Sequence, residues 1–337
     1  MFNIAINGFG RIGRSVLRAF YESDQDLGFK ITAINEIAEV HTMAHLTRYD
    51  STHGKFFGCV NTDGKNLKID DDLISVSHHH DLNCLPWLKH DIDIVIESSG
   101  SYSKREQAEL HIKSGAKRVL FSQPADRCVD NTIVFGVNEH LLKDSDSIIS
   151  GASCTTNCVV PLIKIIHDKL GIESGVITTI HSAMNDQPVI DAFHHTDLRK
   201  TRAAMNSMIP VDTDLALGID RVLPNLTGKF QAQAMRVPTI NVSAIDLSIL
   251  VSKSTSVEEI NSILFESANG DFSNILGYTD EPLASCDFIH DKRSGIVDSC
   301  QTRVSGAKLV KILIWFDNEW GYANRMLDII RLWITRH

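Results

Sequence analysis

Residues 2–14 read FNIAINGFGRIGR, an apolar run, a glycine-rich turn and the start of an amphipathic segment. The run FNIAIN (2–7) predicts a buried strand, and RIGRSVLRAFYES (11–23) has apolar residues at helical spacing. Between them Gly8, Gly10 and Gly13 form the pattern G-x-G-x-x-G. The glycines permit a tight turn, a close approach of the backbone to a pyrophosphate, and close packing of helix on strand. The pattern alone is a weak signal, but a strand–turn–helix context is the one in which it binds a dinucleotide.

A second strand, FKITAINE (29–36), follows this helix and ends in Glu36. An acidic residue about 20 residues beyond the last glycine accepts hydrogen bonds from the adenosine ribose. A carboxylate there also repels a 2′-phosphate, so the sequence predicts NAD as the cofactor rather than NADP. The alternative is a plain turn followed by a surface glutamate.

The alternation of strands and helices continues through the first half of the chain and predicts an α/β fold. DIDIVIESSG (91–100) and KRVLFS (117–122) are further strands on either side of a helix at 104–115, which indicates a doubly wound Rossmann domain. After residue 150 one long helix precedes a strand-rich region with the strands 174–184, 230–239, 241–252 and 307–317. We therefore expect a Rossmann domain over 1–152 and an α+β catalytic domain with a mainly antiparallel sheet over 153–318. The helix over 319–337 is expected to pack back on the first domain.

Composition excludes several classes of function. The 337 residues carry a formal charge of −9, which argues against nucleic acid or an anionic membrane as a partner. Seven scattered cysteines without a C-x-x-C pair are typical of a reduced, cytoplasmic protein, and no window is apolar enough for a membrane helix. His78, His79 and His80 are consecutive, but neighbouring side chains of a strand point to opposite faces, so we expect no metal site.

The stretch SGASCTTNC (150–158) carries the candidate nucleophile. Cys154 is expected to start the long helix, where the helix dipole and main-chain N–H groups favour a thiolate. Cys158, one turn further on, is expected to be a buried small apolar residue. His181, at the end of the strand GVITTIHS, is a candidate base, and a cysteine–histidine pair makes a nucleophile at neutral pH.

Six motifs, in order along the chain, together resemble the glyceraldehyde-3-phosphate dehydrogenase superfamily: INGFGRIGR, SCTTNC, IHS, RVPT, SCDFIHD and FDNEWGYANRM. The resemblance implies that the Cys154 thiolate adds to an aldehyde while His181 holds the thiolate and accepts the hydroxyl proton. Hydride then passes to NAD and leaves a thioester. The main-chain N–H of Cys154 is expected to stabilise the oxyanion.

The resemblance also implies which residues contact the ligands. For the cofactor these are Gly8, Gly10, Arg11, Ile12, Gly13, Glu36, His80, Ser122 and Asn318, the last holding the nicotinamide carboxamide. For the substrate they are Ser153, Thr155, Lys200, Thr213, Asp214 and Arg236. Three positions depart from the superfamily pattern: His80 and Lys200 stand where arginine is usual, and Asp214 where the glycolytic enzymes have glycine.

Three stretches favour one branch of the superfamily, which oxidises D-erythrose 4-phosphate to 4-phosphoerythronate and serves pyridoxal 5′-phosphate synthesis. They are residues 34–56, 178–194 and 199–213. The glycolytic enzymes carry a Thr-rich stretch after the histidine, which is absent here. Asp214 and Met184, the latter in place of a hydroxyl residue, weaken a site for inorganic phosphate and so favour hydrolysis of the thioester.

Two alternatives are the phosphorylating glycolytic activity and a non-catalytic binding protein on the same scaffold. The Cys154–His181 pair and Asn318 argue against the second. The resemblance further implies a homotetramer in which residues 182–212 form an inter-subunit loop.

Overall fold

A computed structural model describes residues 1–194 and 196–336 of the chain. His195, within the loop expected over 182–212, and His337, at the end of the expected terminal helix, lie outside the described residues. The chain divides into two compact units, Met1–Ser153 with Ala323–His337, and Cys154–Tyr322. Within the described residues no helix is both long and apolar enough to span a membrane.

The first unit begins with the strand, turn and helix that the glycine pattern indicates. Its helices are α1 (Arg11–Tyr21), α2 (Val40–Arg48) and α3 (Arg105–Lys113). Its strands are β1 (Phe2–Asn7), β2 (Phe29–Asn35), β3 (Tyr49–Asp50), β4 (Gly54–Lys55), β5 (Val60–Asp63), β6 (Asn66–Ile69), β7 (Asp72–Ser77), β8 (Ile94–Glu97), β9 (Arg118–Phe121), β10 (Asn131–Thr132) and β11 (Ile148–Ser150).

These strands build a nine-stranded sheet in the order β10-β11-β9-β8-β1-β2-β7-β6-β5. All pairings from β10 through to β7 are parallel. The central strand β1 lies between β8 and β2, so the strands that follow it in the chain are placed on both of its sides. The strand order therefore reverses at β1. In α/β sheets, ligands bind at the carboxyl ends of the strands at such a switch point. The predicted doubly wound domain is confirmed.

An antiparallel edge of this sheet was not predicted from the sequence. Strands β5 and β6 form a hairpin, with Val60 opposite Ile69, and β6 pairs antiparallel with β7. The turn between β5 and β6 is Gly64-Lys65, and Gly64 has the positive φ, +58°, that two-residue hairpin turns favour at their first position. The hairpin extends the sheet beyond the parallel strands that hold the glycine turn.

The second unit combines one long helix with a mixed sheet. Its helices are α4 (Cys154–Leu170), α5 (Leu215–Val222) and α6 (Val257–Asn269), and α7 (Trp320–Thr335) begins at its end. Its strands are β12 (Ile172–Ser182), β13 (Ile209–Val211), β14 (Phe230–Val237), β15 (Ser243–Val251), β16 (Leu276–Thr279), β17 (Gly295–Ser305) and β18 (Leu309–Phe316).

The strand order of this sheet is β13-β14-β12-β15-β18-β17-β16. Only the pairs β12–β14 and β16–β17 are parallel, so the predicted mainly antiparallel sheet is confirmed. Along β12, Ile177 and Thr179 are buried whereas Val176 and Ile180 are exposed, the period of two of a sheet with one covered face. Helix α4 packs on that covered face, and its residues are mostly buried.

Candidate active site

The glycine turn after β1 has the geometry of a dinucleotide fingerprint. Gly8 has φ +90°, and a Cβ on it would lie 2.4 Å from the Cα of Ser99. A Cβ on Gly13 would lie 2.2 Å from the carbonyl oxygen of Gly8, so only glycine lets α1 approach β1 this closely. A Cβ on Gly10, in contrast, meets no described atom within 4 Å. The close packing of the turn therefore requires glycine at positions 8 and 13. At Gly10 the absence of a side chain leaves the main chain accessible to a ligand.

Gly8 and Gly10 face a cleft of about 260 Å³ at the carboxyl ends of β1, β2 and β8. Glu36 and His80 also line the cleft. The Glu36 carboxylate accepts hydrogen bonds from the main-chain N–H of Phe9 at 2.6 Å and of Ala38 at 3.2 Å. These two bonds hold a carboxylate beside the glycine turn, which is the arrangement that a dinucleotide site requires.

The other predicted cofactor residues of this unit have different surroundings. The Arg11 guanidinium pairs with the carboxylate of Asp50. Arg11 and Ile12 are the first two residues of α1, and neither lines the cleft. The Ser122 hydroxyl donates to the carbonyl oxygen of Glu97 at 3.0 Å. Ser122 is buried and lies outside the residues that line the cleft.

A buried carboxylate beneath the cleft was missed from the sequence. Glu97, at the end of β8, accepts hydrogen bonds from Asn7 Nδ2 at 2.6 Å and from the main-chain N–H of Ser99 at 2.8 Å, and it lies 3.0 Å from His111 Nε2. Trp87 Nε1 donates to His111 Nδ1 at 3.0 Å, which assigns the ring proton to Nε2. The network fixes Asn7 and Ser99, two residues that line the cleft. The sequence does contain a signal for this carboxylate, because Glu97 is a charged residue at the end of the apolar strand IVIE.

In the second unit, strand register brings the candidate catalytic residues together. Strands β12 and β14 pair with His181 directly opposite Arg236. Helix α4 starts at Cys154, and its Sγ lies 3.9 Å from His181 Nε2. His181 is only 7% exposed, whereas Cys154 is half-buried. The two residues predicted to act as nucleophile and base are thus adjacent.

Burial and a neighbouring charge act on the protonation of this pair. Burial raises the pKa of the Cys154 thiol to about 11, although the Arg236 charge opposes the rise. Burial and the Arg236 charge lower the pKa of His181 to about 4. Burial therefore opposes the effect of the helix terminus on the thiol, and the thiolate expected at the helix start stays a prediction. Cys158 is fully buried, as expected, and burial raises its pKa well above the usual value.

Arg236 contacts the histidine as well as facing the thiol. Its Nη1 lies 2.6 Å from His181 Nδ1 and 3.4 Å from the carbonyl oxygen of Ser182. Burial lowers the pKa of Arg236, and the charges of Asp186 and Cys154 oppose that effect. The Asp186 carboxylate binds Lys200 Nζ at 2.8 Å. Asp186 was missed from the sequence, because it lies in a loop without periodicity.

Asn318 is held by two hydroxyl groups that the sequence did not indicate. Ser182 Oγ and Ser243 Oγ lie 3.1 and 2.9 Å from Asn318 Oδ1 and donate to it. Because the side-chain oxygen is occupied, the amide Nδ2 is directed away from these serines and is the group left to bind a ligand. Asp317 accepts hydrogen bonds from the N–H groups of Glu319 and Trp320 and so fixes the turn that carries Asn318.

The remaining predicted substrate residues are more dispersed. Ser153 and Thr155 flank Cys154 in the chain. Thr213 Oγ1 accepts from the main-chain N–H of Leu215 at 3.3 Å, and Asp214 is exposed at the start of α5. The carboxylate whose charge acts on Arg236 is that of Asp186, and among the described residues no contact joins Asp214 to Arg236.

A dinucleotide cleft in a Rossmann unit, followed by a second sheet unit with a cysteine–histidine pair, defines a two-domain NAD-dependent oxidoreductase. Residues 2–105 match the model of the glyceraldehyde 3-phosphate dehydrogenase NAD binding domain, and residues 153–318 match that of the glyceraldehyde 3-phosphate dehydrogenase C-terminal domain. The chain carries both domains and belongs to this family. NAD is therefore its cofactor, as the glycine turn and Glu36 predicted.

Proposed function

We propose that the protein oxidises D-erythrose 4-phosphate to 4-phosphoerythronate with NAD and water, as an erythrose-4-phosphate dehydrogenase that serves pyridoxal 5′-phosphate synthesis. The observation that carries the proposal is the cluster of Cys154, His181 and Arg236, which combines a nucleophile, a base and a cation for a phosphorylated aldehyde. Family membership supports the NAD-dependent oxidation of an aldehyde phosphate. Residues 34–56, 178–194 and 199–213 support the four-carbon substrate.

The chain's residues act on the aldehyde in a fixed order. Cys154 Sγ attacks the aldehyde carbon, and His181 Nε2, 3.9 Å from the sulfur, takes the thiol proton and returns it to the aldehyde oxygen, which gives the hemithioacetal. The same nitrogen then accepts the hydroxyl proton as the hemithioacetal is oxidised. NAD, held by the glycine turn and Glu36, would supply the hydride acceptor for this oxidation. The carbon is then a thioester on Cys154, and water releases the acid and regenerates the thiol.

The chain has few hydrogen-bond donors to bind inorganic phosphate beside the substrate. This favours hydrolysis of the thioester over phosphorolysis. Lys200 replaces an arginine that would bind phosphate through two donors, and its ammonium group is already paired with Asp186. Met184 has no hydroxyl to donate. Water needs a base and access but no anion site, and His181 supplies the base.

The test compares D-erythrose 4-phosphate with D-glyceraldehyde 3-phosphate by NADH formation in phosphate-free buffer, followed by a titration with inorganic phosphate. We expect higher kcat/KM with the four-carbon substrate and full turnover without phosphate. Turnover that is negligible without phosphate and saturates with it would identify the phosphorylating activity instead. Cys154→Ser is the blank for each condition.

We also propose that the protein assembles as a homotetramer. The segment after β12 exposes large apolar side chains: Val189, Ile190, Phe193, Leu198 and Met208 are between 72% and 84% exposed. Apolar clusters of this kind mark protein–protein contacts. Sedimentation equilibrium is expected to give four chains per particle, and replacing Phe193 and Leu198 by Ser is expected to weaken the assembly. A parent protein that sediments as a monomer would contradict the proposal.

A further inference from the structure

A carboxylate that the oxidation does not use lies beneath the glycine turn. Glu97, the last residue of β8, is fully buried, and so is His111 on α3. One Glu97 oxygen accepts from Asn7 Nδ2 at 2.6 Å and lies 3.0 Å from His111 Nε2. The other accepts from the main-chain N–H and the hydroxyl of Ser99. A buried charge needs such partners, and two of these, Asn7 and Ser99, line the cofactor cleft.

The direction of each hydrogen bond follows from what the groups can donate. The indole N–H of Trp87 only donates, so His111 Nδ1 accepts and the proton on Nε2 is directed at Glu97. The Asn7 amide and the two Ser99 groups are donors as well. Glu97 is therefore the acceptor in all four contacts. A glutamine cannot replace it in this role, since its amide nitrogen donates.

Glu97 holds both sides of Gly8. Asn7 precedes Gly8 in the chain, and Ser99 packs directly on it: a Cβ on Gly8 would lie 2.4 Å from Ser99 Cα and 2.5 Å from Ser99 N. The Gly8 carbonyl oxygen also accepts from Ser98 Oγ at 2.7 Å. The position of the glycine turn thus depends on where Asn7 and Ser99 are fixed, and Glu97 bonds to both.

The ribose side of the cleft is held separately. Because Glu97 occupies Asn7 Nδ2, Asn7 Oδ1 faces Asn35 and accepts from its Nδ2 at 2.9 Å. Asn35 also binds the main chain of His79 through both ends of its amide: Nδ2 donates to the carbonyl oxygen and Oδ1 accepts from the N–H, each at 2.9 Å. Asn35 and the next residue, Glu36, therefore stay in place when the Asn7 contact is lost.

We propose that Glu97 is a positioning residue for the cofactor, which fixes the glycine turn in the conformation that binds the NAD pyrophosphate, and that His111 orients Glu97. Neither residue lines the cleft, so both act through Asn7 and Ser99. The effect is specific to the pyrophosphate, because these two residues flank the turn. The inference concerns the NAD site alone and is independent of which aldehyde the enzyme oxidises.

Positioning and charge predict opposite results for the isosteric variant Glu97→Gln. A carboxylate beneath the turn repels the pyrophosphate, so an action through charge alone means that its removal tightens NAD binding. If Glu97 fixes the turn, the variant binds NAD more weakly. The glutamine amide nitrogen then faces a donor of either Asn7 or Ser99, and one of these contacts is lost. The direction of the change in NAD affinity separates the two roles.

The test measures the dissociation constants of NAD, ADP-ribose and adenosine for the full-length protein. Glu97→Gln is expected to weaken the binding of NAD and ADP-ribose by about tenfold, the ratio that corresponds to one hydrogen bond to a charged group. Adenosine has no phosphate, so its affinity is expected to stay unchanged. An NAD affinity that is unchanged or higher, or an equal loss for adenosine, would overturn the proposal.

Asp146→Asn is the matched control. Asp146 is a buried carboxylate of the same unit that accepts from the same kinds of group, Asn131 Nδ2 at 2.6 Å and the main-chain N–H of Lys143 at 2.9 Å, but it lies outside the cleft lining. The variant is expected to lower the free energy of unfolding and to leave all three dissociation constants unchanged. A loss of NAD affinity equal to that of Glu97→Gln would show that general destabilisation explains the effect.

His111→Met tests the same role without changing the Glu97 charge. The variant removes one of the four donors and leaves the bonds of Glu97 to Asn7 and Ser99. NAD and ADP-ribose are expected to bind about threefold more weakly, with adenosine unchanged, because Glu97 is held less firmly. If circular dichroism shows that Glu97→Gln does not fold, this variant decides, and an unchanged NAD affinity would refute the proposal.

Discussion

Replacing Gly10 by alanine separates cofactor binding from folding. Gly10 has φ −72°, which alanine adopts without strain, and its new methyl group meets no described atom within 4 Å. Gly10 lines the cleft, so we expect the methyl group to occupy space that the NAD pyrophosphate needs. The variant is therefore expected to fold and to bind NAD poorly.

The expected loss follows from the hydrogen bonds at the helix start. A hydrogen bond from a main-chain N–H to a charged phosphate oxygen contributes about 1.5–3 kcal/mol, so losing one weakens NAD binding by about 10- to 150-fold. The change in the free energy of unfolding is small, because the loss of about 1 kcal/mol expected at a helix N-cap is offset by the lower entropy of the unfolded chain.

Gly13→Ala is the matched variant, because its Cβ would lie 2.2 Å from the Gly8 carbonyl oxygen. Overpacking of this kind costs about 1–3 kcal/mol, so both stability and NAD affinity are expected to fall. Fluorescence titration gives the Kd for NAD, and urea unfolding followed by circular dichroism gives the stability. A Gly10→Ala protein whose Kd stays within twofold of the parent value would refute the placement of the pyrophosphate.

Three further predictions concern single side chains. Cys154→Ser is expected to abolish NADH formation while Cys158→Ser, deep in the core, retains most of it; equal loss in two variants with native circular dichroism would show that the wrong thiol was chosen. Glu36→Gln is expected to narrow the ratio of kcat/KM for NAD over NADP by about tenfold, because one repulsion from the 2′-phosphate is removed; a parent enzyme that uses both cofactors equally would contradict this. Ser243→Ala removes one of the two hydroxyls on Asn318 Oδ1 and is expected to raise KM for NAD about fivefold, the effect of one hydrogen bond; an unchanged KM and kcat would exclude this role.

Local sequence patterns were sufficient to predict most of the fold. The apolar runs of β1, β2 and β8 and the glycine turn predicted the Rossmann unit because each signal lies within one strand–turn–helix segment. The hairpin of β5 and β6 was missed, since its strands are short and half-polar. Gly64, in the turn between them, was a signal that hydrophobic periodicity does not contain.

The sequence allowed single residues of the site to be predicted, but not the residues that contact them. Cys154, His181 and Glu36 stand at the ends of recognisable elements, so their positions follow from the sequence. The partners Asp186, Ser243 and Glu97 depend on strand register and loop path, which join residues far apart in the chain. The sequence likewise shows that Cys154 starts a helix, but the burial that raises the pKa of its thiol comes from the folded surroundings.

The products of one reaction test the central claim most directly. The parent enzyme is mixed with D-erythrose 4-phosphate, NAD and inorganic phosphate, and ³¹P NMR spectra are recorded as NADH forms. We expect 4-phosphoerythronate to appear in step with NADH while the inorganic phosphate signal stays constant. An acyl phosphate signal, with inorganic phosphate consumed in equal amount, would contradict hydrolysis of a thioester on Cys154.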